Sequence, residues 1–174
     1  MDRRAFVTGA AALALAPRAL ARIGASGAVV LVTADLESRL VAVDLETGRV
    51  RKHVRTLSRP RSIETVGNIA VVAHSELGVL SLVHGRTLAV VHVLRGFGEP
   101  RYTAAHPDGR HAYVTDAARG ELIALDVPEA RVLARIRVGA RARHVGIDPS
   151  GHRLWVALGS KAKELALVDV TQRG

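Results

Sequence analysis

The chain has 174 residues, of which 48% are hydrophobic and 24% are charged, with a formal net charge of +9 and no cysteine. This composition is typical of one folded domain and argues against a disordered chain. The lack of cysteine excludes disulfide scaffolds, cysteine-ligated zinc, iron–sulfur clusters and cysteine nucleophiles.

Residues 1–21 are predicted to be an export signal peptide. Arg3 and Arg4 precede an alanine-rich apolar stretch that ends in the small-residue sequence Ala19-Leu20-Ala21, so cleavage is predicted after Ala21. The apolar stretch is too short to anchor the chain in a bilayer, and we expect no membrane span after cleavage. Residues 22–28 are predicted to be a short linker.

The export route is indicated by a resemblance. The arginine pair, one variable residue, Phe6 and an aliphatic residue resemble the twin-arginine export motif. The resemblance implies the twin-arginine export machinery as a partner and a periplasmic or secreted bacterial protein. The alternative is an alanine-rich N-terminal helix of a cytoplasmic protein. Arginine supplies most of the positive charge and is spread over every segment, which favours a coding bias over a dedicated anion-binding surface.

The rest of the chain is built from a repeat. Val32, Val72, Val114 and Val156 follow one another at spacings of 40, 42 and 42 residues, each in an alternating apolar segment. A complete copy contains three further strand-like segments. The first strand of the second, third and fourth copies is predicted at residues 61–66, 101–106 and 143–148. Four short strands in about 42 residues match a β-propeller blade. We therefore predict an all-β fold of four-stranded antiparallel blades, with repeats at residues 29–57, 58–98, 99–140 and 141–174.

The third copy carries a family resemblance. Its turn Pro107-Asp108-Gly109, the strand segment Tyr113-Val114-Thr115-Asp116 and the later segment Leu122-Ile123-Ala124-Leu125-Asp126 resemble one repeat of the YVTN family of β-propellers. The fourth copy repeats the pattern, and the second departs from it most. The resemblance implies a fold more than an activity, because such repeats occur in exported binding and surface proteins, beside redox modules and in lactonase-like propellers.

Counting strands predicts an incomplete ring. The copies supply three, four, four and three strands, about half of a seven-bladed propeller, and leave two open strand edges. Three interpretations stay open: a truncated piece of a longer chain, pairing with another half by self-association through the open edges, or an arc that tolerates its edges.

Candidate binding residues lie at the start of the first strand of each blade. Arg61, Arg101 and Arg143 occupy equivalent positions, and Tyr102 and His144 follow two of them. If these side chains face the channel or its mouth, three guanidinium groups would favour an anionic small molecule or an unknown protein partner. The alternative interpretation is that each arginine is solvated or pairs with a neighbouring carboxylate.

Other chemistry has weaker support. His106, Asp108 and His144 are the residues we would inspect for a metal ion, although no histidine pair has a metal-binding spacing on one element, and we expect no cofactor. Nucleic-acid binding is not favoured, because the chain has only five aromatic residues to stack on bases.

Two functional hypotheses follow. The first is an exported, non-catalytic propeller module that binds a ligand or protein partner through its loops and channel mouth. The second is an exported propeller hydrolase of lactonase-like type, or the propeller domain of a redox system. A lactonase-like site needs acidic and amide residues at the channel, whereas this sequence places arginine there, so binding without catalysis is favoured.

Overall fold

The computed structural model describes residues 27–170. Arg3, Arg4, Phe6 and the cleavage position after Ala21 lie outside the described residues, as do residues 171–174. The described chain is all-β, with four antiparallel sheets and two single-turn 3-10 helices. Among these residues there is no helix long and apolar enough to cross a membrane.

The four sheets contain three, four, four and three strands in chain order, which confirms the strand count predicted from the repeat. The first sheet consists of β1 (Val29–Ala34), β2 (Arg39–Asp44) and β3 (Val50–Arg55). The second consists of β4 (Ser62–Val66), β5 (Ile69–His74), β6 (Val79–His84) and β7 (Ala89–Arg95). The third consists of β8 (Pro100–Ala105), β9 (His111–Asp116), β10 (Glu121–Asp126) and β11 (Arg131–Arg137). The fourth consists of β12 (Val145–Ile147), β13 (Arg153–Leu158) and β14 (Glu164–Asp169).

Neighbouring sheets meet through their first strands: β1 lies near β4, β4 against β8, and β8 against β12. Apolar clusters fill the spaces between adjacent sheets. Because side chains alternate between the two faces of a strand, Val71 of β5 packs in the cluster with the third sheet and Val72 in the cluster with the first. Both side chains are fully buried. The inner sheets are therefore buried on both faces, which explains the continuous apolar runs of their second strands.

The fourth sheet differs from the prediction at its first strand. Residues 143–148 were predicted as one strand, but β12 spans only Val145–Ile147, so Arg143 and His144 precede it. Gly146 lies in the middle of β12, and glycine weakens a strand interior. The segment still bonds to β13, since the Arg143 N–H donates to the Ala157 carbonyl at 2.9 Å.

The two outermost faces of the described sheets carry exposed apolar side chains. Val32 of β1 is 48% exposed, although the equivalent Val72, Val114 and Val156 are fully buried. On the last sheet, Leu165 is 69% exposed. These faces lack the neighbouring sheet that covers the inner ones. Self-association through the open edges stays a prediction.

His74, the last residue of β5, joins the first sheet to the second. Its fully buried ring donates from Nδ1 to the Ser58 carbonyl at 2.9 Å, and its Nε2 accepts from the Ser81 hydroxyl at 2.9 Å. A carbonyl can only accept, so the proton of the neutral ring lies on Nδ1. Burial holds the pKa of His74 below its usual value of 6.5, against the opposing effect of the Ser58 carbonyl.

We expect the free energy of unfolding to decline as the pH falls below about 6.5. In that range the unfolded chain protonates residue 74 before the folded protein does, so acid favours the unfolded state. Denaturant midpoints measured from neutral to acid pH check this. The His74→Gln variant should lose the part of the decline that begins near pH 6.5, and a wild-type profile that shows no decline just below that pH would contradict a buried neutral His74.

A second decline is expected below about pH 4 in both proteins. Burial opposes ionisation of Asp126, but the Arg110 guanidinium, 2.7 Å from its Oδ2, holds the pKa of this carboxyl below its usual value of 3.8. A lowered folded-state pKa contributes stability above the unfolded-state pKa and loses it as the pH falls through the folded-state value.

Candidate functional site

A cleft of about 400 Å³ opens between the third and fourth sheets, where their first strands begin. Two of the predicted binding residues, Arg101 and Arg143, line it together. We call it the arginine cleft, and its lining residues are Glu99, Arg101, Ala117, Ala118, Arg141 and Arg143.

Arg61 occupies the equivalent position in the second sheet but does not line the arginine cleft. Its side chain is exposed, and its backbone N–H donates to the Ala73 carbonyl at 2.7 Å. The first strands of the second and third sheets are nevertheless in contact here, since the Ser62 hydroxyl donates to the Arg101 carbonyl at 2.5 Å. Two of the three predicted arginines therefore share a cleft.

The arginine cleft is electropositive. The Arg101 Nη2 donates to Glu99 Oε1 at 2.5 Å, and the Arg143 Nη1 donates to the Ser160 carbonyl at 3.3 Å. The Arg101 Nε is buried and has no hydrogen-bond partner in the described structure. Arg141 is exposed, and its side chain forms no hydrogen bond or ion pair with another described residue. Three arginines thus line the cleft together with one glutamate, and one buried donor is unsatisfied.

Tyr102 and His144 contact each other beside these arginines. Their rings stack with centroids 4.0 Å apart and an interplanar angle of 24°. Tyr102 lies in β8, and its backbone N–H donates to Thr115 Oγ1 at 3.2 Å. The stack connects the third sheet to the segment that enters the fourth, so both residues contribute to the relative position of the two sheets.

The predicted metal candidates are divided between two places. His106 and Asp108 lie together in the turn from β8 to β9, where His111 joins them. His144 stacks on Tyr102 and is not part of that group.

Sequence reasoning missed Arg141, Glu99 and His111. Arg141 precedes Arg143 by two residues, and Glu99 precedes Arg101 by two, so the same spacing occurs in both connections. This shared spacing was a signal that could have found them. Arg141 adopts a left-handed backbone conformation, with φ of 55°, which no arginine-specific pattern predicts.

No protein-family model matches the chain, and no curated protein matches its sequence. Solved structures do match. Hydrazine synthase of Kuenenia stuttgartiensis superposes with a TM-score of 0.72 at 17% identity, covering 81% of this chain and 46% of that one. The described chain has the fold of an incomplete β-propeller. The dihydro-heme d1 dehydrogenase NirN, in complex with DHE, superposes with a TM-score of 0.62 at 18% identity, covering 82% of this chain and 35% of that one.

These likenesses show the fold alone, since the sequence identities are low. The all-β prediction of four-stranded antiparallel blades in an incomplete ring is confirmed. The chain spans less than half the length of both matched structures. The assignment to the YVTN family stays a prediction.

Proposed function

We propose that this protein is an exported propeller module that binds an anionic ligand in the arginine cleft and catalyses no reaction. The observation that carries the proposal is the convergence of Arg101, Arg141 and Arg143 on one cleft with Glu99 as the opposing charge. Planar guanidinium groups bind carboxylates and phosphates in a fork geometry. The ligand class is therefore a small molecule, or a segment of a protein partner, that carries carboxylate or phosphate groups.

Export is part of the proposal and rests on the sequence. Arg3, Arg4 and Phe6, followed by the apolar stretch and the small residues up to Ala21, support transfer by the twin-arginine machinery to the periplasm or the medium. The YVTN resemblance supports the same location, since exported binding proteins carry such repeats.

The competing functions have less support. The two matched structures are a hydrazine synthase and a dihydro-heme d1 dehydrogenase, but at 17% and 18% identity they do not support a redox role for this chain. A lactonase-like hydrolase needs acidic and amide residues at the openings of the first strands. This chain has Arg61, Arg101 and Arg143 there.

Pyrophosphate and citrate are suitable probes, because both present several negatively charged oxygens. We expect calorimetric titration at low salt to detect binding of at least one of them, weakened by added salt. Arg141→Gln and Arg143→Gln should each reduce the affinity about tenfold, since a hydrogen bond to a charged group contributes about 1.5–3 kcal/mol.

Arg137→Gln is the matched control. Arg137 is exposed on β11, outside the arginine cleft, and its loss changes the net charge by the same amount. Equal weakening by Arg137→Gln and Arg143→Gln would assign binding to the overall charge of +9 and overturn the proposal. Failure of both probes to bind the wild-type chain would overturn it too.

A further inference from the structure

We propose that His106, Asp108 and His111 form a binding site for a divalent transition-metal ion, with Zn²⁺ as the physiological candidate. The three side chains present one ligand atom each, and these atoms lie within 4.8 Å of one another. These three residues lie apart from the arginine cleft. His106 follows the carboxyl end of β8, whereas Arg101 lies near its start, about 16 Å away along an extended strand.

The turn between β8 and β9 places the carboxylate. Asp108 Oδ1 accepts the backbone N–H groups of Arg110 at 2.8 Å and His111 at 2.9 Å, which fixes the side chain against its own turn. Its Oδ2 is left for the two imidazoles: His111 Nδ1 lies 2.6 Å away and His106 Nδ1 lies 3.0 Å away. One carboxylate oxygen thus lies within hydrogen-bonding distance of two ring nitrogens.

This donor set has a metal preference. Two imidazole nitrogens and one carboxylate oxygen suit zinc and its first-row neighbours, whereas magnesium and calcium prefer all-oxygen sites. Metal–ligand distances of about 2.0–2.1 Å place the ligand atoms of a tetrahedral site about 3.3 Å apart. The observed separations of 2.6 and 3.0 Å need to open by less than about 1 Å.

The orientation of His106 is set from the next sheet. His106 Nε2 lies 3.2 Å from the Gly151 carbonyl, which can only accept, so Nε2 carries the proton of the neutral ring. Gly151 has a left-handed φ of 80°, and a Cβ at this position would overlap the His106 ring. Glycine therefore permits the close approach. A ligating histidine whose other N–H donates to a backbone carbonyl is the usual outer arrangement of a metal site.

That tautomer leaves an unprotonated nitrogen opposite a carboxylate. With Nε2 protonated, the Nδ1 lone pair of neutral His106 lies 3.0 Å from Asp108 Oδ2, and this approach is favourable only with a cation on Nδ1, either a proton or a metal ion. The Asp108 N–H reaches the same Nδ1 at 3.2 Å, the long end of the normal range. A bound metal ion would exchange this long hydrogen bond for coordination and supply that cation.

The charge state suits a metal ligand. Partial burial opposes ionisation of Asp108, but hydrogen bonds from the His111 backbone and ring and from the Arg110 N–H hold its pKa well below its usual range. The carboxylate is therefore charged at neutral pH. The side chains of Asp108 and His111 are about one-third exposed, so water or an exogenous ligand can reach the remaining coordination positions.

Co²⁺ is the probe, because its visible spectrum reports ligand type and geometry. Untagged, chelator-treated full-length chain should bind one Co²⁺ and develop a visible band that Zn²⁺ abolishes by competition. His106→Gln and His111→Gln should each weaken binding at least about tenfold and remove the band.

His92→Gln is the matched control, since His92 is exposed on β7 and outside the cluster. Far-UV circular dichroism checks that each variant is folded, and Asp108→Asn, which keeps an oxygen for the turn, provides a third test. An unchanged band in both His106→Gln and His111→Gln, or no binding by the wild-type chain, would overturn the proposal. Loss of the band in His92→Gln would overturn it as well.

Discussion

Replacing Ile123 with alanine is expected to lower the free energy of unfolding by about 2–5 kcal/mol. Ile123 of β10 is fully buried in the cluster between the second and third sheets. Its truncation removes apolar contacts and leaves a cavity between two sheets that do not share a hydrogen-bonded ladder. Urea denaturation followed by circular dichroism measures the loss.

Leu133→Ala is the comparison for this variant. Leu133 lies on β11 and is 44% exposed, so its truncation should change stability by no more than about 0.5 kcal/mol. Similar losses in both variants would mean that packing between sheets is not what holds the second and third sheets together.

The valine repeat shows what the sequence could predict of the fold. Alternation within a strand and spacing between copies can both be read from the sequence alone, and they predicted the number of strands in each sheet. Whether a side chain is buried depends on whether a neighbouring sheet covers it. Val72, Val114 and Val156 each face the preceding sheet and are fully buried, whereas Val32 occupies the same repeat position with no described sheet before it.

The candidate sites were predicted less completely, because side-chain direction and turn geometry decide them. Repeat equivalence brought Arg101 and Arg143 together, but it also predicted Arg61, whose side chain does not line the cleft. For the metal group, equivalence between copies suggested His144. The structure places His111 there, because the turn around Asp108 folds back within a few residues and brings a local histidine closer than one from the next sheet.

His74 and Asp116 have the same structural role in successive sheets, and the sequence did not predict it. They lie 42 residues apart, and each is the last residue of the second strand in a four-stranded sheet. Both are fully buried and bind the chain that enters their sheet: His74 donates to the Ser58 carbonyl, and Asp116 accepts from the Gly98 and Glu99 N–H groups. One residue donates and the other accepts, yet both hold the chain that enters their sheet. Because histidine and aspartate differ in type, the sequence alone did not show that the two positions are equivalent.

Asp116→Ala is expected to destabilise the protein by about 3 kcal/mol or more. Asp116 Oδ2 accepts the Gly98 N–H at 2.6 Å, and its Oδ1 accepts the Glu99 and Arg119 N–H groups at 2.9 and 3.2 Å. Alanine leaves these donors without their partner in a part-buried connection, and an unsatisfied buried donor costs about 1–3 kcal/mol. Asp116→Asn keeps one acceptor oxygen and should lose less. Urea denaturation of the three proteins gives the order.

Asp44→Ala separates this role from ordinary turn capping. Asp44 also accepts backbone N–H groups, from Glu46 and Thr47, but its turn is exposed and water can replace the lost acceptor. We expect a loss of about 1 kcal/mol there. If the Asp44 and Asp116 variants lost equal stability, burial of the connection would not be the cause of the larger effect.

The Asp116→Ala substitution is also expected to affect the arginine cleft. Asp116 holds the backbone of Glu99, and the Glu99 carboxylate is the ion-pair partner of Arg101. Asp116→Ala should therefore change pyrophosphate affinity even at temperatures where the variant is fully folded, because Arg101 loses its fixed counter-charge. Ile123→Ala acts on the apolar cluster away from the cleft and should leave that affinity unchanged. Both variants are titrated with pyrophosphate. A change in affinity for Asp116→Ala alone would mean that the connection held by Asp116 positions the cleft. A change for both variants would mean that the affinity follows the overall stability of the protein.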